Sequence, residues 1–166
     1  ADAGTLAHDM VEHDIYGQDF DTSTYSEETV KKALGAFHAY LEWKQQTNLT
    51  IAEAEVPLLS RVHRFGGTLD AILVQGKLAL GDWKTSNGIY ADYLLQLSAY
   101  QILWEENFPD RPITGGFHLL RFSKATDDSD PVSFSHHYWS QLDVAKEQFL
   151  HLLAAFKLDK RINSLV

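Results

Sequence analysis

The sequence predicts an α/β fold: a mixed central β-sheet flanked by helices, in the order α-α-β-β-β-α-β-β-α. Three patterns predict it. Apolar residues recur at helical spacing near both ends and in the middle of the chain. Alternating or continuous apolar runs lie between those segments. A Gln75-Gly76-Lys77 turn joins two of the runs.

The first helix is expected from Ala3 to about Ile15, with Leu6, Met10 and Val11 on one side, followed by a polar loop over Gly17–Thr24. Ser26 is placed to cap a second helix, with Glu27 and Glu28 in its first turn and Ala33, Phe37, Leu41 and Lys44 along it. Leu49–Leu59 reads as a strand whose alternation sets Ile51, Glu53 and Glu55 on one face and Ala52, Ala54, Val56 and Leu58 on the other. Strands over Gly67–Val74 and Leu78 to about Lys84 flank the turn. An amphipathic helix over Tyr90–Glu106 ends at Asn107-Phe-Pro109. Strands at Thr114–Phe122 and Val132–His136 follow, and a last helix from about Ser140 to Leu158 is expected to bury Leu142, Phe149, Leu152, Leu153 and Phe156.

The 166 residues, 45% of them hydrophobic, are enough for one folded domain over 1–166 with its own core. No repeat, linker or low-complexity tract divides them. The chain begins at Ala1, already in a helical pattern and without an initiator Met, which is compatible with missing upstream residues. There is no cysteine, which excludes disulfides, thiolate metal sites and iron–sulfur clusters and is compatible with an intracellular setting. No apolar run is long enough to span a bilayer, and no signal peptide is visible.

The segment richest in chemistry is Gly67-Thr-Leu-Asp70 followed by Gly81-Asp82-Trp83-Lys84-Thr85-Ser86. Asp82 and Lys84, two apart on a strand, point to one face. A two-residue loop at Gln75-Gly76 would pair Asp70 with Gly81 and part the two aspartates. A three-residue loop, Gln75 to Lys77, pairs Val74 with Leu78 and sets Asp70 across from Asp82, their Cβ atoms roughly 5 Å apart. The second register is expected because it assembles a cluster. Two carboxylates that close repel each other unless they share a proton or hold a cation, and Mg²⁺ or Mn²⁺, one ion or two, suits oxygen ligands. Lys84 would then orient a nucleophilic water and offset charge on a phosphate.

At these residues the chain resembles the PD-(D/E)XK nuclease superfamily, in its RecB-like exonuclease branch, which includes the mitochondrial genome maintenance exonucleases. Gly4-Thr-Leu-Ala-His8 is similar to the N-terminal helix motif with a metal-binding histidine. Gly67-Thr-Leu-Asp70 is similar to "G-x-x-D", Asp82-Trp-Lys84-Thr-Ser to "D-[WY]-K-T-[SG]", and Gln96-Leu-Ser-Ala-Tyr100 to "Q-x-x-x-Y". The four occur in the family's order over residues 4 to 100. Leu69 stands where the family usually has proline.

The resemblance implies a restriction-endonuclease-like core and metal-dependent hydrolysis of DNA phosphodiesters, with exonuclease action expected. It implies Asp70, Asp82, the Trp83 backbone carbonyl and His8 as metal ligands, and Lys84 as the catalytic lysine. Gln96, one turn from Tyr100 on the same helical face, is expected to fix Lys84 or the DNA strand, with Tyr100 beside it. Glu55 is a further candidate for binding metal through water, although Glu53 shares its expected face. Thr85, Ser86, Arg61, Arg64 and Lys124 are candidate phosphate contacts.

The expected partner is DNA, single-stranded or with a free end. Against it stands a net charge of -9, with 14 basic and 23 acidic residues, since phosphate binding draws on Lys and Arg. Carboxylates that hold cations would be neutralised, and Asp127, Asp128 and Asp130 cluster in one loop. The competing readings are a nuclease-fold module that binds DNA or protein without cutting, and a metal-dependent hydrolase of a small phosphoester.

Overall fold

A computed structural model describes residues 2–123 and 134–166. Its elements follow the expected order: α1 (Ala3–Ile15), α2 (Glu27–Gln46), β1 (Thr50–Ser60), β2 (Phe65–Val74), β3 (Leu78–Thr85), α3 (Ala91–Asn107), β4 (Phe117–Phe122), β5 (Phe134–Trp139) and α4 (Asp143–Asn163). The strands form one five-stranded sheet in sequence order. β3 and β4 are parallel and the other neighbours antiparallel. A parallel pair cannot be joined by a tight turn, and α3 makes that crossover.

Local chemistry sets the helix ends. The Asp2 carboxylate accepts from Gly4 N, and Ser26 Oγ accepts from Thr29 N at 3.2 Å, as its capping position predicts. After α1 the chain reverses through Gly17, whose φ of 64° is the left-handed conformation that glycine adopts without strain.

The sheet separates two apolar cores. On one face, Leu6 and Met10 of α1 and Ala36, Tyr40 and Trp43 of α2 pack on Leu73, Trp83, Leu120 and Phe122. On the other, Leu97, Leu103 and Trp104 of α3 pack on Leu69, Ile72, Leu80 and Leu119. Trp83 belongs to the first core while its neighbours Leu80 and Asp82 face the second, as strand alternation requires.

The structure corrects the expected elements in four places. In β1 the pairing shifts between Ile51 and Glu53, and Glu55 has a left-handed φ of 49°. That shift precedes both glutamates; the left-handed backbone at Glu55 is what interrupts the alternation between them, so Glu53 meets Arg111 while Glu55 faces Glu12 and Asp9. β4 starts at Phe117 and not at Thr114, because Thr114 N and Gly115 N both donate to Leu78 O and Gly116 turns at φ 83°. β5 runs on to Trp139, pairing with β4 as far as Phe117.

The fourth correction concerns α4, which starts at Asp143 and buries none of its residues. Leu142, just before it, is buried and Phe149 meets Phe65, but Leu152 is 50% and Phe156 55% exposed. The stripe is amphipathic as expected, but among the described residues no layer covers it. The acidic cluster at Asp127, Asp128 and Asp130, Lys124 and the first residues of the predicted last strand lie outside the described residues.

Candidate active site

The β2–β3 hairpin closes in the three-residue register. Val74 pairs with Leu78, and the ladder ends at Ala71 with Gly81. Gly76, at φ 72°, supplies the left-handed residue such a loop needs. Beyond Gly81, β3 continues only with β4, while β2 continues only with β1. Asp70 and Asp82 stand where the two ladders part. There Asp70 Oδ2 accepts from Trp83 N at 2.9 Å, so a side chain replaces the missing backbone partner.

Asp82 is 0% exposed. Lys84 Nζ lies 2.7 Å from its Oδ2 but out of hydrogen-bonding alignment, and neither Asp82 oxygen has a hydrogen-bond partner. Asp70 and Asp82 are close enough to hydrogen-bond once either is protonated, but as two carboxylates neither can donate. Burial first, and the charge of Asp70 second, push Asp82 well above the usual carboxylate range. Burial also raises Asp70, opposed by the Lys84 charge and the Trp83 N–H.

Helix α1 adds His8, whose Nδ1 lies 3.9 Å from Asp70 Oδ2. Burial lowers its pKa and keeps the imidazole neutral, with Asp82 pulling the other way, and the ring also interacts with the Trp83 backbone carbonyl. β1 adds Glu55. Its left-handed backbone turns it towards α1, and burial followed by Glu12, Asp9 and Asp82 raises its pKa to about 7. Glu53 is instead paired with Arg111 at 2.8 Å, which leaves Glu55 as the glutamate of the site. His8, Glu55 and Asp70 offer ligand atoms within 4.8 Å of one another.

A neutral imidazole, crowded carboxylates and a buried aspartate with two unpartnered oxygens fit a hard divalent cation. No cysteine competes for a softer metal.

Helix α3 closes the other side. Gln96 Nε2 donates to the Tyr100 hydroxyl at 2.6 Å, and burial, then Asp70 and Asp82, raise the pKa of Tyr100. Lys84 Nζ lies 5.3 Å from the centre of the Tyr93 ring. Gly67 leaves room for Tyr100, since a Cβ there would come within 3.2 Å of Tyr100 Cε1.

The other expected residues stand less centrally. Thr85 Oγ1 is buried without a partner, whereas Ser86 Oγ donates to Gly88 O at 2.8 Å within its own turn. Arg61 and Arg64 lie in the β1–β2 turn, where Glu106 near the end of α3 accepts from Arg61 N. That is roughly 20 Å along α3 from Tyr93, so the structure does not bring them to the carboxylates.

Other histidines are engaged elsewhere: His13 with Asp9 O, and His136 with Trp43 and His118. Asp9 and Glu12 were not anticipated. Glu12 follows His8 by four residues, a spacing that places both on one helical face and signals it in the sequence.

No protein-family model matches the sequence, and no curated protein matches it. Among solved structures the chain is similar to a "putative exonuclease" from Eubacterium rectale, with a TM-score of 0.60 and 12% identity over 92% of this chain and 64% of that one. The chain thus spans less than two thirds of that protein's length. An alkaline exonuclease from Laribacter hongkongensis matches at a TM-score of 0.39 and 13% identity, over 98% of this chain and 85% of that one, too loosely to define a shared architecture. The α/β fold seen here, with its mixed five-stranded sheet, is that of the Eubacterium rectale protein.

Proposed function

We propose that this chain is a divalent-metal-dependent deoxyribonuclease domain of the PD-(D/E)XK superfamily, in its RecB-like branch, acting as an exonuclease with Mg²⁺ or Mn²⁺. The observation that carries the reading is Asp82: a fully buried carboxylate with two unpartnered oxygens, crowded by Asp70 and touched by Lys84. Such a group is costly unless a cation completes it. Asp70, Asp82, His8, Glu55 and the Trp83 carbonyl would hold that cation. When bound, it supplies Lewis acidity towards a phosphate oxygen and makes water more acidic.

This chain's own residues supply the rest. Lys84, held between Asp82 and the Tyr93 ring, offers an ammonium to the scissile phosphate and balances the charge that builds there. It also orients the attacking water. Gln96 and Tyr100, bonded to each other, form the wall against which the strand lies.

The test is incubation of labelled single- and double-stranded DNA, with free and blocked ends, in Mn²⁺ and in EDTA. Wild type should cut only with the metal. Lys84→Ala should abolish cleavage, a loss of at least roughly 100-fold, while DNA and metal binding persist. Cutting by Lys84→Ala at the wild-type rate would refute its role. Binding without cutting by wild type would favour the binding-module reading, and hydrolysis of nitrophenyl phosphate alone would favour a small-phosphoester hydrolase.

A further inference from the structure

The nuclease reading leaves a physical difficulty: how a chain of net charge -9 holds a polyanion. Four cations, the site lysine among them, are paired with acids. Lys84 contacts Asp82 at 2.7 Å, Lys32 contacts Glu28 at 2.8 Å, Lys44 contacts Asp14 at 2.7 Å and Arg111 contacts Glu53 at 2.8 Å. Arg121 is buried and donates to Ser86 O and Ser135 Oγ. Counterion release from these groups is therefore a weak source of affinity. Bases, unlike phosphates, can be held without charge, by stacking on aromatic rings.

Such a ring stands beside Tyr93 and Lys84. Tyr90 occupies the N-cap of α3, where Ser, Asp or Asn would ordinarily accept from the first turn, and it makes no capping bond. It is 53% exposed. Its ring is nevertheless held in place: it stands edge-to-face on Tyr93, centres 5.4 Å apart and planes at 84°. It also passes over Gly88, where a Cβ would lie 3.5 Å from the Tyr90 hydroxyl. Tyr93 in turn lies under Lys84 Nζ at 5.3 Å. These two contacts put Tyr90 no further from Lys84 Nζ than about three base steps of a strand, at 3.4 Å each in duplex DNA. An exposed, oriented aromatic at that distance, in place of a helix cap, is a platform for a base.

We infer that Tyr90, supported by Tyr93, is a base-stacking residue of the substrate site and supplies affinity that an acidic surface cannot. This rests on the nuclease reading and adds a requirement to it. A base stacked on Tyr90 is unpaired, so the strand at the site is single or locally opened. Binding is then less salt-dependent than phosphate-driven binding, with a slope of log K against log [salt] near -0.7 for each phosphate neutralised.

The experiment measures fluorescence anisotropy of a labelled single-stranded oligonucleotide in the Lys84→Ala background, where the strand stays intact. Tyr90→Ala should raise Kd by roughly 5- to 100-fold, and Tyr90→Phe and Tyr90→Trp should restore it. A salt series should give a slope no steeper than about -1.4, the value for two phosphates. A single abasic nucleotide walked along the oligonucleotide should weaken binding at one position by the same factor, and no further once Tyr90 is Ala.

Unchanged affinity in Tyr90→Ala, or an abasic penalty that persists in that variant, would overturn the inference. So would a salt slope of several phosphates. Cleavage in Mn²⁺ is read separately on the otherwise wild-type chain. If it cuts and Tyr90→Ala binds normally, the nuclease reading stands and the stacking role falls. If it fails to cut but binding depends on Tyr90, the stacking role stands and the nuclease reading falls.

Discussion

Asp82→Asn should stabilise the metal-free protein while abolishing its stabilisation by metal. The buried carboxylate has no hydrogen bond to either oxygen and faces a second carboxylate. Asparagine removes the charge and adds two donors, one of which can reach Asp70. Asp70 and Asp82 share the single Lys84 ammonium, and relief of the surplus buried charge is on the order of 1–3 kcal/mol, an upward Tm shift of about 2–12 °C for a chain of this length. The sign follows from the raised pKa. A carboxyl held above its unfolded value favours folding when protonated and loses that contribution as pH rises. In EDTA the variant's advantage should therefore be small in acid and grow towards neutral pH.

Metal should reverse the order. At about 100 times its Kd, a cation that binds only the folded chain adds about 2.7 kcal/mol, or about 5–10 °C. Wild type should show that rise with Mn²⁺ and Asp82→Asn should lose most of it. Thermal unfolding by circular dichroism, in EDTA and in Mn²⁺ across a pH series, reads both effects. A variant that melts lower than wild type in EDTA, or that keeps the full Mn²⁺ rise, would refute the assignment of Asp82 as a ligand held at a cost.

Two further outcomes follow from groups outside the carboxylates. The indole N–H of Trp43 can only donate, so His136 accepts at Nδ1, carries its proton on Nε2 and donates to His118 Nδ1 at 2.8 Å. Burial, then His136, lowers the pKa of His118 to about 4, so the unfolded chain binds the extra proton between about pH 4 and 6.5. Stability from this group is complete above pH 6.5 and lost as pH falls to 4. Urea unfolding of His118→Gln should show a flatter acid limb, and an unchanged limb would disprove the coupling. Gly67→Ala should push the Tyr100 ring by a few tenths of an ångström and slow cleavage roughly tenfold. It should cost almost nothing more in a Tyr100→Ala background, and equal losses in both backgrounds would show that the glycine acts elsewhere.

Much of the site could be read from residue order because its main determinant is local. One loop length decides whether Asp70 meets Asp82, and Gly76 makes that loop favourable. Asp82 with Lys84, and Gln96 with Tyr100, follow from the periods of a strand and a helix. Glu55 was harder, because strict alternation gives it the same face as Glu53. What separates them is the left-handed backbone at Glu55, a conformation that a glutamate does not announce. The exposed stripe of α4 failed for a related reason. Amphipathicity defines a face but not what covers it. Tyr90 was invisible because its meaning depends on Tyr93 and Gly88 holding its ring.

Trp83 carries two roles that conventional mutagenesis cannot separate. Its indole fills the core between Tyr40 and Trp43, with ring centres 6.1 and 5.9 Å away, while its backbone N–H holds Asp70 and its carbonyl faces His8. Truncating the side chain would cost about 3–5 kcal/mol of packing and unfold or loosen the whole sheet. Any loss of cutting would then be credited to stability. A conservative aromatic replacement would leave the backbone groups in place and report nothing about them. Only a change to the main chain itself, such as an amide-to-ester replacement on either side of this residue, touches the polar groups and spares the ring. An alanine scan of this protein would thus mark Trp83 as core and pass over the part of it that faces the site.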